Sequence, residues 1–248
     1  MNRAVWIVLS AAFAIGLWQA VVSVTGVPPF ILPSPGKVLD TLVSSRELIA
    51  GHAMITMTEV VAGLIAGSAL GFATALHLMV SPTARKLLMP IMVFSQAIPV
   101  FALAPVLTLW LGYGIWSKIV MTILIIYFPV ASSFLDGLQR VEPGYLDLSR
   151  TMRATPNQVL TRIRLPAALP SFGSGLKLAA VYAPIGAVIG EWVGASGGLG
   201  YLMLLANGRA KIDLMFAALF VLAVFTIAVH ALVSLLAGWM TRRAQGIS

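Results

Sequence analysis

Long, uninterrupted apolar runs alternate with short polar punctuation along this chain. Six such runs stand out, at residues 4–24, 54–80, 87–111, 116–135, 173–195 and 214–240. Roughly 20 apolar residues of helix cross a hydrocarbon core of ~30 Å, so each run predicts a membrane-spanning helix. The first run invites comparison with a signal peptide, since Arg3 precedes it. It is too long for an ordinary apolar signal core, and its only Ala-x-Ala, Ala12-Phe13-Ala14, falls mid-run, so a retained helix is expected. Between the first two runs, Pro28-Pro29 and Pro33-Ser34-Pro35-Gly36 break an amphipathic segment. Ser34 and Pro35 there mark the start of a short surface helix over 35–45.

One long polar insertion interrupts this regime. Residues 136–170 read DGLQRVEPGYLDLSRTMRATPNQVLTRIRLPAALP, with the acids Asp136, Glu142 and Asp147 among the arginines 140, 150, 153, 162 and 164. Pro143 suits a first helical turn, where its missing N–H costs nothing. Tyr145, Leu148 and Met152 then recur at spacings of three and four and draw one apolar stripe; Asp147, Arg150 and Arg153 lie mostly off it. A second helix starts at Thr155, with Pro156 in its first position and Gln158 where a capping box places Glu or Gln. It is expected to run over 156–164 and stop at Leu165-Pro166. Two short helices meeting at Arg153-Ala154-Thr155 make an elbow suited to a partner's cleft. The competing reading is a basic amphipathic helix lying on anionic lipid.

Polar residues inside the runs are few. Glu59 lies near the outer end of the second run and Gln96 within the third. Glu191-Trp192 closes the fifth, fourteen residues beyond Lys177 and therefore about 21 Å from it along a helix. Ionisable groups at membrane depth are costly and mark pathways, so Gln96, Glu59, Glu191 and Trp192 are the substrate-path candidates. The bland alternatives are a headgroup contact for Glu59 and an interhelical hydrogen bond for Gln96. Pro99 and Pro105 predict a kink in the third run. Gly173, Gly175, Gly186, Gly190 and Gly194 predict close helix approach in the fifth. Residues 196–201, Ser-Gly-Gly-Leu-Gly-Tyr, read as a glycine-rich outer loop.

Composition narrows the function. Hydrophobic residues make up 59% and charged residues 10%, against about a quarter charged in soluble domains; the chain is an integral membrane protein. Having no cysteine, it has no disulfide, thiol catalysis or cysteine metal site. No phosphate-binding G-x-x-x-x-G-K-[ST] occurs, so a nucleotide site is not expected here. His52, His77 and His230 sit toward span ends or alone, which argues against an intramembrane enzyme; no catalytic residue and no metal ligand is assigned. The net charge of +8 would suggest nucleic acid in a soluble protein. Here basic cytoplasmic loops account for it. With six spans and the N-terminus inside, eleven Lys and Arg fall on the inner side and five (Lys37, Arg46, Lys118, Arg209, Lys211) on the outer. Both termini and the elbow are thus expected in the cytoplasm. A proton-coupled secondary transporter using Glu59 or Glu191 is a second class, but the internal repeats common to such folds are absent.

The elbow resembles the EAA loop of permease subunits of bacterial ABC importers. Asp147-Leu148-Ser149 stands for Glu-Ala-Ala, Arg153-Ala154 for Gly-Ala, and Ile163-Arg164-Leu165-Pro166 for the loop's end. The departures are Asp for Glu, Leu and Ser for the two alanines, and Arg153 for a glycine that favours a left-handed helix end. Leu32-Pro33-Ser34-Pro35, Leu103-Ala104-Pro105 and residues 194–202, GASGGLGYL, are similar to the nitrate, sulfonate and taurine branch of these permeases. Residues 95–102, SQAIPVFA, 134–138, FLDGL, and 183–194, APIGAVIGEWVG, resemble members of that branch assigned to the pyrimidine precursor of thiamine. The resemblance implies an all-α, six-helix permease of the type I importer kind, in the bacterial inner membrane, with a cytoplasmic coupling-helix loop. It implies two ATPase subunits that hold ATP and Mg, a second copy of this chain as homodimer partner, an external solute-binding protein, and lipid around the spans. It assigns ATPase coupling to Tyr145, Asp147, Leu148, Ser149, Arg150, Met152, Arg153 and Ala154, and the loop end to Leu165 and Pro166. The implied solute is hydroxymethylpyrimidine, or else nitrate, taurine or an alkanesulfonate.

Overall fold

The structure, a computed structural model, describes residues 3–244, and within them the side chains of Arg3 and Arg243, two of the inner cations counted above, lie outside the described residues. All regular structure among the described residues is helical: α1 Arg3–Thr25, α2 Pro35–Ser44, α3 Arg46–Val80, α4 Pro82–Ala97, α5 Val100–Leu111, α6 Ile115–Gln139, α7 Pro143–Thr151, α8 Pro156–Val159, a π-helical stretch Leu160–Arg164, α9 Leu165–Gly194, α10 Leu199–Gly208 and α11 Ile212–Ala244. Five of the helical spans are long and apolar enough to cross a membrane, and α4 with α5 makes a sixth if that bent pair counts as one.

Helix α6 is the hub, with α3 and α9 packed along it. Glycines make this possible. A Cβ on Gly63 or Gly67 of α3 would meet Thr122 or Ile126 of α6 at 2.5–2.6 Å, and one on Gly186 of α9 would lie 2.6 Å from the Thr122 Cα. The helices therefore approach almost backbone to backbone, as small residues permit in a membrane. Toward the elbow, Phe134 stacks on Phe72 at 4.8 Å between ring centroids, and Phe172 of α9 closes on both. At the far end Val38, Ile49, Leu202 and Leu214 pack α2, α3, α10 and α11 together. Ser34 caps α2 through the Lys37 N–H, and the Thr41 hydroxyl donates to Asp213 at 3.0 Å, pinning α2 to the start of α11.

Four sequence expectations change. The third run is not one span: α4 and α5 meet at 100°. Pro99 lacks an N–H and forces Ile98 into an extended conformation (ψ 121°), so the kink expected of the prolines becomes a break. The helix starting at Thr155 does not stop at Leu165-Pro166 but runs on to Gly194. The π-helical turn at Leu160–Arg164 widens the coil just ahead of Pro166, which absorbs the ring and the missing N–H that would otherwise end the helix. The glycine-rich loop expected over 196–201 gives way at Leu199 to a further helix, α10, and Lys118, counted as an outer cation, is 1% exposed.

Candidate functional site

Local sequence makes the elbow rigid. Helix α7 ends in a Schellman turn: the Ala154 N–H donates to Ser149 O at 2.9 Å and the Arg153 N–H to Arg150 O at 3.0 Å. Arg153 sits in the left-handed region at φ +54°, where the resemblance placed a glycine. Directly after it the predicted capping box forms, with the Gln158 N–H on Thr155 Oγ1 at 3.3 Å and the Thr155 N–H on Gln158 Oε1 at 2.8 Å. Arg164 then reaches back to the Leu138 carbonyl at 2.7 Å, a cation at the C-terminal end of α6. A groove of about 530 Å³ separates the elbow from the end of α3, lined by Met79, Val80, Leu146 and Arg164 among others.

The apolar stripe of the elbow faces outward. Tyr145, Leu148 and Met152 are 59%, 58% and 74% exposed. Asp147 and Arg150 pair at 2.9 Å on the surface, an interaction that contributes at most about 1 kcal/mol. Arg153 is exposed and Ala154 half-buried, while Leu165 and Pro166 are half-buried in the first turn of α9. Ser149 lies on the opposite side: it is buried and donates to Leu146 O at 2.7 Å.

At the other end of the bundle the structure gathers charges that sequence order keeps apart. Glu191 is 26 residues, about 39 Å of helix, from the start of α9 at the elbow. Beyond it the chain breaks at Ala195–Gly198 and restarts as α10, which leaves backbone groups without helical partners. Side chains of α3, α6 and α9 meet several of them. Lys118 of α6 donates to the Gly194 carbonyl at 2.7 Å, and to Tyr113 O at 2.6 Å and Gly114 O at 3.0 Å. His52 Nδ1 accepts from the Gly198 N–H at 3.1 Å, and Thr56 Oγ1 from the Leu199 N–H at 2.7 Å. Glu191 accepts from the Gly200 N–H and, at 2.6 Å, from the Thr56 hydroxyl. A carboxylate thus caps α10, which suits a helix N-terminus. The residue at the cap itself, Gly198, has φ +107°, and any Cβ there would collide with the Glu191 carboxyl. Glu59, 3% exposed, lies against Glu191 and within electrostatic reach of Lys118.

The four path candidates therefore separate. Glu59 and Glu191 meet in the buried network. Trp192, the next residue, turns away and lines an open apolar groove of about 710 Å³ with Phe101, Ile185, Met203 and Leu222; neither carboxyl lines it. Gln96 is exposed at the end of α4 and bonds Ser95 at 3.3 Å, with Ser95 in turn on the Tyr127 hydroxyl. Reading by sequence missed Lys118 and His52. The available signal was charge balance: two acids in apolar runs call for a cation, and Lys118 stands four residues past the Gly112-Tyr113-Gly114 turn. Among the described residues no group of three or more His, Asp or Glu could hold a metal ion.

Comparison with known proteins agrees with this architecture. The inward-facing methionine ABC transporter MetNI is similar in fold, with a TM-score of 0.68 and 19% identity, over 80% of this chain and 99% of that one. A probable ABC transporter permease protein of Haemophilus influenzae is 49% identical over 86% of this chain and 87% of its own length. A formylaminopyrimidine transport permease protein of Halalkalibacterium halodurans is 35% identical over 92% of each. Residues 60–246 match the family model of the binding-protein-dependent transport system inner membrane component. This chain belongs to that family, as a multi-pass, non-catalytic permease subunit of an ABC importer.

Proposed function

We propose that two copies of this chain form the pore of an importer that carries a small aminopyrimidine, such as hydroxymethylpyrimidine, from an external binding protein into the cytoplasm. Two ATPase subunits bind ATP and Mg, and each receives one elbow. Both termini lie on the elbow's side of the membrane. ATP-driven closure of the ATPases moves the elbows, and through the continuous helix 156–194 each movement reaches the outer end of α9. Closure must bind one state of the pore more tightly than the other for this to drive transport.

The observation that carries the coupling part is the elbow itself: an outward apolar edge of Tyr145, Leu148 and Met152 on a turn fixed at both ends by hydrogen bonds. Asp147 and Arg150 set its register. The pyrimidine part is supported by similarity along nearly the whole chain to a permease named for formylaminopyrimidine transport. The second copy is supported by the open, apolar-lined groove of about 710 Å³ beside Trp192. The elbow is tested with Leu148→Asp, which puts a charge in the contact without touching the bundle. It is expected to reduce ATPase co-purification at least tenfold while the chain still inserts in the membrane. Undiminished co-purification and transport would remove Leu148 from the interface.

A further inference from the structure

The network around Glu191 is not used by the importer reading, and it has an unusual property. The side chains that close the break between α9 and α10 come from three helices of the bundle. The last carbonyl of α9 is held by Lys118 of α6; the first amides of α10 are held by His52 and Thr56 of α3 and by Glu191 of α9. Lys118, Thr56 and Glu191 are all at most 1% exposed. Sliding α10 or the 195–198 segment past α3 or α6 would strip several buried backbone groups of their partners at once, which is costly. Gly197 adds a contact of its own: a Cβ there would lie 2.6 Å from Ile55 Cδ1.

We infer that this network joins the outer ends of α3, α6, α9 and α10 into one rigid gate block, in which Glu191 and Lys118 are positioning residues. The inference rests on the importer reading. The outer opening then forms between two copies, along the groove that Trp192 and Met203 of this block line, and not by the outer segment peeling off its own subunit. Loosening the block lets ATP be hydrolysed without moving the gate.

Two experiments on the full importer in proteoliposomes test this. The chain contains no cysteine, so Ile55→Cys with Gly197→Cys introduces one thiol pair between α3 and the break. Oxidation is expected to form the disulfide and leave ATP-driven uptake within twofold of the reduced sample. Uptake that stops on oxidation and returns with dithiothreitol would overturn the block. In the second experiment, Glu191→Ala and Gly198→Ala are expected to lower the number of solutes carried per ATP hydrolysed at least fivefold. Glu191→Gln, which keeps an acceptor for the Gly200 N–H, is expected to lower it less. A simple folding defect would reduce uptake and hydrolysis in proportion; an unchanged ratio in all three variants would overturn the role given to Glu191. If the unaltered chain shows no ATP-driven uptake with its ATPase, the importer reading itself falls.

Discussion

Arg153 shows a single residue holding a conformation it does not favour. The Schellman turn after α7 requires φ > 0, and Arg153 adopts +54°. An L side chain in that region costs on the order of 1 kcal/mol that glycine would not incur. Arg153→Gly is therefore expected to stabilise the turn by about 1 kcal/mol. Hydrogen exchange at the Ala154 amide, which closes the turn, should slow about fivefold; faster exchange would mean that the arginine side chain contributes more than its backbone strain costs. Lys118 makes the opposite point. Counting charges along the chain treats it as an outer cation, because periodicity carries no information about which carbonyls a side chain will meet. Its three carbonyl partners lie five, four and 76 residues away in sequence.

Among elements, what could be read from the sequence was whatever is encoded locally. Pro143, Thr155, Pro156 and Gln158 announce the two starts of the elbow, and both appear where expected. Hydropathy locates the spans, but it is blind to direction, so the 100° break after Ala97 and the continuity through Leu165-Pro166 were not legible. Helix α10 was hidden for a related reason: its cap is not its own residue but Glu191, nine positions back, and Gly198 reads as a loop breaker. The glycines of α9 were legible as packing residues, although not their partner. Gly186 rests against the backbone of α6 at Thr122. Gly186→Ala must push the two central helices apart, because the atom in the way is a Cα and not a flexible side-chain end. It is expected to cost about 1–3 kcal/mol and to lower the thermal midpoint in detergent. An unchanged midpoint would contradict the backbone-to-backbone packing.

For the whole molecule, the two ends of the bundle differ in kind. The elbow end presents an exposed apolar edge on a hydrogen-bonded turn, while the opposite end closes buried polar groups on one another. Helix α6 and the continuous helix 156–194 connect them, and glycine packing keeps these two close along their length. This layout suits a subunit that receives force at one end and delivers movement at the other. The most direct measurement is stimulation of ATP hydrolysis. The chain is reconstituted in liposomes with its ATPase and binding protein, and hydroxymethylpyrimidine, taurine, an alkanesulfonate or nitrate is added in turn. The account predicts that the pyrimidine raises hydrolysis several-fold and the anions do not. Stimulation by an anion alone would contradict the substrate. Failure to form a stable complex with any ATPase would contradict the coupling role of the elbow, and with it the central claim.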